Sequence, residues 1–129
     1  MKITEKGPTV APPAIPGPAG RVAAEAANWP GVLARAHWHL YHPTQVDGAD
    51  FYVGTEELGH VHLDGEAHIA MTRAMRDAAL AAGIGHPAPW RGYEGWLHLP
   101  IRTEADADAA LSLFRDNYAR LTDMMKNAS

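Results

Sequence analysis

Period-two alternation constrains this chain more than any other feature it has. From Val32, the run VLARAHWHLYH sends Ala34, Ala36, Trp38 and Leu40 to one side, and Leu33, Arg35, His37, His39 and Tyr41 to the other. A repeat of two belongs to an extended strand with one buried side, because successive side chains leave opposite faces of the pleat. The pattern returns in ADFYVG, where Phe51 and Val53 oppose Asp50 and Tyr52. It returns in LGHVHLDG, with Val61 and Leu63 inward and His60 and His62 outward. A last run, GWLHLPIR, places Leu97, Leu99 and Ile101 inward and Trp96 and His98 outward. Pro100 has no N–H to give a ladder, so this strand is an edge or ends there.

Short links join the first three strands. Pro43 to Gly48 reads as a loop closed by an Asp47-Gly48 turn, Thr55 to Glu57 as a second turn, and Asp64-Gly65 as the close of the third strand. Links of that length predict an antiparallel meander. Three helices surround it. The first is expected from Arg21 to about Asn28, ended by Trp29-Pro30-Gly31. The second is expected from Thr72 to Ala82, with Gly83 where a left-handed cap belongs. In the third, Thr103 is the N-cap, Asp106 completes a capping box, and Leu111, Phe114, Tyr118, Leu121 and Met125 form one apolar stripe. The expected class is α+β: an antiparallel sheet, a three-stranded meander plus a later strand, with helices packed on one face. Residues 1–20, rich in Pro, Gly and Ala, read as a disordered tail; residues 21–129 read as a single domain.

Scarcities narrow the chemistry. There is no cysteine, which removes disulfides, thiolate metal sites and cysteine nucleophiles. The only serines are Ser112, inside the third helix, and Ser129; the only lysines are Lys2, Lys6 and Lys126. A serine nucleophile, a Schiff-base lysine and a phosphate-loop lysine are therefore not expected. The formal net charge of −4 opposes binding to a nucleic-acid backbone. No apolar run is long enough to span a membrane, and MKITEKGPTV lacks the apolar core of a secretory signal, so a cytoplasmic location is expected.

What remains is histidine. His37, His39, His60, His62 and His98 share the outward face with Arg35, Tyr41, Asp50, Tyr52 and Trp96. An ordinary solvated face carries more Lys, Glu and Thr, so this composition suits a surface that binds something. The ligand-binding candidates are His37, His39, Tyr52, His60, His62, Trp96 and His98. Metal binding is one reading, with His60 and His62 as ligands and zinc as the ion, because residues i and i+2 of a strand lie about 6.7 Å apart on one side. His37 and His39 have the same spacing. With the middle strand between them, however, the two pairs stand about 10 Å apart at the backbone. Proton transfer is a second reading, with Asp50 or Asp64 orienting an imidazole. A third is structural, with the face covered by self-association. Trp90-Arg91-Gly92-Tyr93 reads as a loop packing over the sheet.

The stretches EELGHVHLDG (56–65), RAMRDAALAAG (73–83) and GWLHLPIRTEADADAALSLFRDNY (95–118) together resemble the luciferase-domain family, over about Trp29 to Leu121. The family often has serine before the Gly-Trp pair, where this chain has Glu94. The resemblance marks His60 and His62 as motif positions, and the family's label implies light emission from an oxidised substrate. The strand–helix–strand–helix end is similar, more distantly, to MmcQ/YjbR-like domains. The resulting expectation is a domain that binds a small ligand or partner through its histidine and aromatic face. The alternatives are a metal- or histidine-dependent enzyme and a self-associating module.

Overall fold

The computed structural model describes residues 8–39, 41–42, 44–89 and 92–128. Trp90 and Arg91 of the expected covering loop, and Leu40 of the first alternating run, lie outside these. The elements run α1 (Gly17–Ala27), β1 (Val32–Trp38), β2 (Val46–Val53), β3 (Glu56–His62), β4 (Glu66–Ala70), α2 (Arg73–Ala81), β5 (His86–Pro87), β6 (Trp96–Pro100) and α3 (Glu104–Ala128). The strands form one sheet in the order β1-β2-β3-β4-β6-β5, with antiparallel pairing at each junction. The chain is thus α+β, a meander with a later strand, and the meander is one strand longer than the sequence reading made it.

The additional strand β4 lies in EAHIA. Asp64-Gly65 makes a hairpin turn between it and β3, with Gly65 at φ 92°, and Ala67 and Ile69 enter the core. The link between β2 and β3 is tighter than expected. Val53 pairs with Glu56, so Gly54 and Thr55 alone make the turn. Gly54 has φ 63°, the positive angle that the first position of such a turn needs. Asp47-Gly48 is not a turn but part of β2.

At the other end, α1 starts four residues before its expected position. Pro18 in its first turn costs no hydrogen bond, and Ala19 is buried. The segment before it lies along β1. The Val10 carbonyl accepts from Ala36 N–H at 2.9 Å, and the Pro8 carbonyl accepts from Arg35 and from Trp38 Nε1. One edge of the sheet is thereby partly covered, and the other edge, β5, is two residues long and contains a proline. Among the described residues no helix is long and apolar enough to cross a membrane.

The core lies between the sheet and helices α1 and α3. Ala49, Phe51, Val53, Leu58, Val61, Ala67, Ile69, Leu97 and Leu99 meet Val22 and Ala26 of α1 and Ala107, Leu111, Phe114 and Leu121 of α3. Thr103 and Asp106 cap α3 reciprocally at 3.1 Å. The expected stripe ends at Leu121, and Met125 is exposed.

Two irregularities break the alternation. Between β1 and β2, His37 pairs with Gly48 but Trp38 with Val46, so Asp47 is an extra residue. Between β2 and β3, Phe51 pairs with Gly59 but Tyr52 with Glu57, so Leu58 is extra. A bulge resets which side the following residues face. The β3 bulge is held from behind by Asn117 of α3, a fully buried amide. Its Nδ2 donates to the carbonyls of Leu58 and Ala70, both at 3.0 Å, and its Oδ1 accepts from Arg120 Nε at 3.0 Å. Beside it, Gly59 leaves room for α3, since a Cβ there would meet Phe114 Cε1 at 2.7 Å.

Asn117→Leu keeps the branched shape but adds volume and strands both carbonyls. It is expected to cost about 2–3 kcal/mol of stability in urea unfolding. A loss below about 0.5 kcal/mol would show that the bulge does not depend on this amide.

Candidate functional site

The face away from α1 and α3 carries a transverse row with one polar residue from every strand. Arg35 pairs with Asp50, Asp50 with His60, His60 with His68, His68 with His98, and His98 with His86. The row runs from buried at Arg35 and Asp50 to exposed at His86. A shorter row beside it, His37–Gly48–His62, has a glycine in the middle. That glycine resolves the expected separation of the His37 and His62 strands. No side chain stands between them, so the rings lean together over β2. His37 stacks on His60 with centroids 4.3 Å apart and meets His62 edge-on at 4.9 Å.

Each of these imidazoles has a carboxylate. His37 Nδ1 lies 2.6 Å from Asp50 Oδ1, His60 Nδ1 lies 2.8 Å from Glu57 Oε2, and His62 Nδ1 lies 3.3 Å from Asp47 Oδ2. His98 Nε2 lies 2.9 Å from Glu66 Oε2, whose other oxygen accepts from Arg102. A carboxylate on one ring nitrogen takes its N–H and leaves the other nitrogen's lone pair to face outward. His60 Nε2 and His62 Nε2 both approach His68 Nδ1, at 2.9 and 3.3 Å.

Asp47 and Glu57 occur at positions that strict alternation assigns to the core side, with Ala49 and Val61. The two bulges turn them to the histidine side. No pattern in the sequence announces that, whereas His68 had a readable signal: a second alternating run directly after Asp64-Gly65. Among the expected site residues, the structure brings together His37, Tyr52, His60, His62, Trp96 and His98. Trp96 lies 5.6 Å from His60, ring to ring, and Tyr93 meets Trp96 edge-on. His39 does not join them. It follows the end of β1, where its Nδ1 accepts from the backbone N–H groups of Tyr41 and His42 and its ring packs near theirs.

The site is largely dry. Asp50 and Tyr52 are fully buried, and His60, His68 and Glu57 nearly so. Burial raises the Tyr52 phenol well above its ordinary range, and the Glu57 and Asp50 charges add to this. Burial lowers His62, helped by His37 and opposed by Asp47. His68 is pushed down to about 2, first by burial and then by His60, His62, His98 and His37. It is therefore neutral in the folded protein at any ordinary pH.

A further group of residues lines a cleft of about 200 Å³ at the Trp96 end of the face, where the C-terminal half of α3 passes. Glu57 and Trp96 belong to the face and to the cleft alike.

Residues 55–117 match the family model of the Luciferase domain. The match takes in Glu57, His60, His62, His68, Trp96, His98 and Asn117, and leaves His37, Asp47 and Asp50 outside. No curated protein and no solved structure matches the chain, and the more distant similarity to MmcQ/YjbR-like domains is not shown.

The depressed His68 has a measurable consequence. The unfolded chain takes up a proton near pH 6.5 where the folded protein does not until about 2. Unfolding therefore binds protons below 6.5, and stability falls as pH falls, by about 1.4 kcal/mol per unit for this residue. Urea midpoints of chelator-treated protein between pH 7 and 5 are expected to drop accordingly, and less steeply in His68→Gln. An identical slope in the variant would contradict a neutral buried His68.

Proposed function

We propose that this chain, whose residues 55–117 match the Luciferase domain model, holds a divalent metal ion on Asp50, Glu57 and His60 and binds a small ligand there. The observation that carries this reading is the convergence of three buried donors from adjacent strands. Their ligand atoms lie within 4.8 Å of one another. His60 Nδ1 is 2.8 Å from Glu57 Oε2 and 3.8 Å from Asp50 Oδ1. Bonds of about 2.1 Å to one ion put neighbouring donors about 3–3.5 Å apart.

Two further facts support it. Asp50 Oδ2 and Tyr52 Oη are buried with no hydrogen-bond partner among the described residues. A buried carboxylate oxygen left so costs several kcal/mol, and a cation would offset it. The surroundings also suit ligands held in place. His37 donates to Asp50 Oδ1. With an ion bound, the His60 proton would move from Nδ1 to Nε2, where it would donate to His68 Nδ1 and leave Nδ1 as the ligand atom. Outer partners of this kind orient metal ligands. Two oxygens and one imidazole nitrogen suit zinc, manganese or ferrous iron. A bound dication would supply Lewis acidity to an oxygen-bearing ligand.

His37, His60 and His62 form another group whose nitrogens lie within 4.8 Å. The His37 and His60 rings, however, are stacked with only 14° between their planes. Lone pairs on parallel rings run side by side and do not meet at one point. On this reading His60 is the metal ligand expected from its strand, and His62 is its neighbour.

The test is metal content of the untagged protein, with zinc and cobalt titrations followed by calorimetry and the visible cobalt spectrum. About one ion per chain is expected, with affinity reduced at least a hundredfold in Glu57→Gln and His60→Ala and unchanged in His39→Ala. Absence of a saturable site in a folded wild-type protein, or uptake unaffected by Glu57→Gln, would overturn the reading.

A further inference from the structure

The cleft beside Glu57 has a chemistry of its own. Its sides are Trp96 from β6 and Leu121 and Met124 from α3, and Arg120 reaches into it. Arg21, Arg76, Arg102 and Arg115 each pair with a carboxylate. Arg120 has no ion-pair partner among the described residues. Its three hydrogen bonds go to neutral acceptors: Nε to Asn117 Oδ1 at 3.0 Å, one terminal nitrogen to Met124 Sδ at 3.5 Å, and the other to the Ala70 carbonyl at 3.1 Å. These bonds fix the guanidinium plane without neutralising it. Burial also lowers its proton affinity, with Glu56 opposing through space.

A guanidinium carries five N–H groups, so two are left, one on each terminal nitrogen. That is the number a carboxylate accepts in the two-pronged arrangement. The space limits what can arrive. About 200 Å³ is below the roughly 300–1,000 Å³ of sites for drug-sized molecules. It holds on the order of six or seven water-sized units. Trp96, Leu121 and Met124 offer apolar surface to a short carbon body, and the carboxylates of Glu56 and Glu57 also line the cleft.

We infer that Arg120 anchors the carboxylate of a small organic acid, whose carbon body lies along Trp96 and whose far end points to Glu57. The inference deepens the metal reading by naming the class of ligand, and rests on it for the contact at the far end. The anchor itself needs no metal. Leu121 and Met124 sort acids by length, so propionate and butyrate bind more tightly than acetate, and an alkylamine of equal length does not bind.

The experiment is a side-chain ¹⁵N NMR titration of the full chain, metal-free and zinc-treated, with acetate, propionate, butyrate and propylamine. Saturable shifts of Arg120 Nε–H and Trp96 Nε1–H with propionate are expected. The affinity falls at least tenfold in Arg120→Gln and is partly kept in Arg120→Lys. Should Arg120→Gln not fold, the wild-type shifts decide alone. Shifts in the metal-free protein that takes up no zinc would support the Arg120 anchor while removing the metal reading. Zinc uptake without any carboxylate-dependent shift at Arg120 would overturn the anchor and leave the metal reading intact. Equal shifts with propylamine would also overturn it.

Discussion

The Asn117 amide is the interaction on which the rest of this molecule turns. It sits between the helical layer and the sheet, fully buried, and grips the carbonyls of Leu58 and Ala70 from α3. The first grip holds the β3 bulge, which puts Glu57 on the histidine side of the sheet. The second holds the end of β4, the strand that supplies His68. Through its oxygen the same amide fixes Arg120 at the cleft. One side chain in the core layer thus sets the geometry of a site on the opposite side of the sheet.

A dry polar face is costly, and its composition shows how the cost is limited. Asp50, Glu57, His60 and His68 are all removed from water. Glu57 satisfies one nitrogen of His60, as Asp50 and Asp47 do for the neighbouring His37 and His62, while His68 is met by His60 and His62. The strain that remains is local. It lies at the free Asp50 oxygen, the Tyr52 hydroxyl and the crowded approach of His60 and His62 to His68. Unpaired groups concentrate at functional sites because folding alone gives no reason to keep them. The core on the other side is apolar apart from Asn117 and Trp29 Nε1, which is buried with no hydrogen-bond partner among the described residues.

Much of this was legible in the sequence. Alternation located β1, β2, β3 and β6, the helical stripe located α3, and the outward positions of those strands named six of the residues that now lie together. His39 continues the alternation in the sequence, but it lies past the bulge at Asp47 and its ring packs beside Tyr41 and His42 instead. His68 lies in EAHIA, a run too short for alternation alone to mark, although a hairpin turn before it and a period of two within it are both present. Asp47 and Glu57 could not have been found this way. A bulge breaks the periodicity from which faces are inferred, and its position is set by tertiary contacts, here the Asn117 amide and the close approach of Phe114 to Gly59.

The row of six paired residues carries a further consequence. Sliding one strand past its neighbour by two positions keeps every apolar residue on the helix side, since the period of two is preserved. Such a slip would satisfy the core and scramble the row. The hydrophobic pattern is therefore blind to the one alignment error that matters most here. What tells the correct arrangement from its well-packed impostor is the pair of bulges, the two-residue Gly54-Thr55 link and the glycine gaps at Gly48 and Gly59. In this fold the irregularities hold the alignment information, and a sequence regularised to ideal strands would lose it.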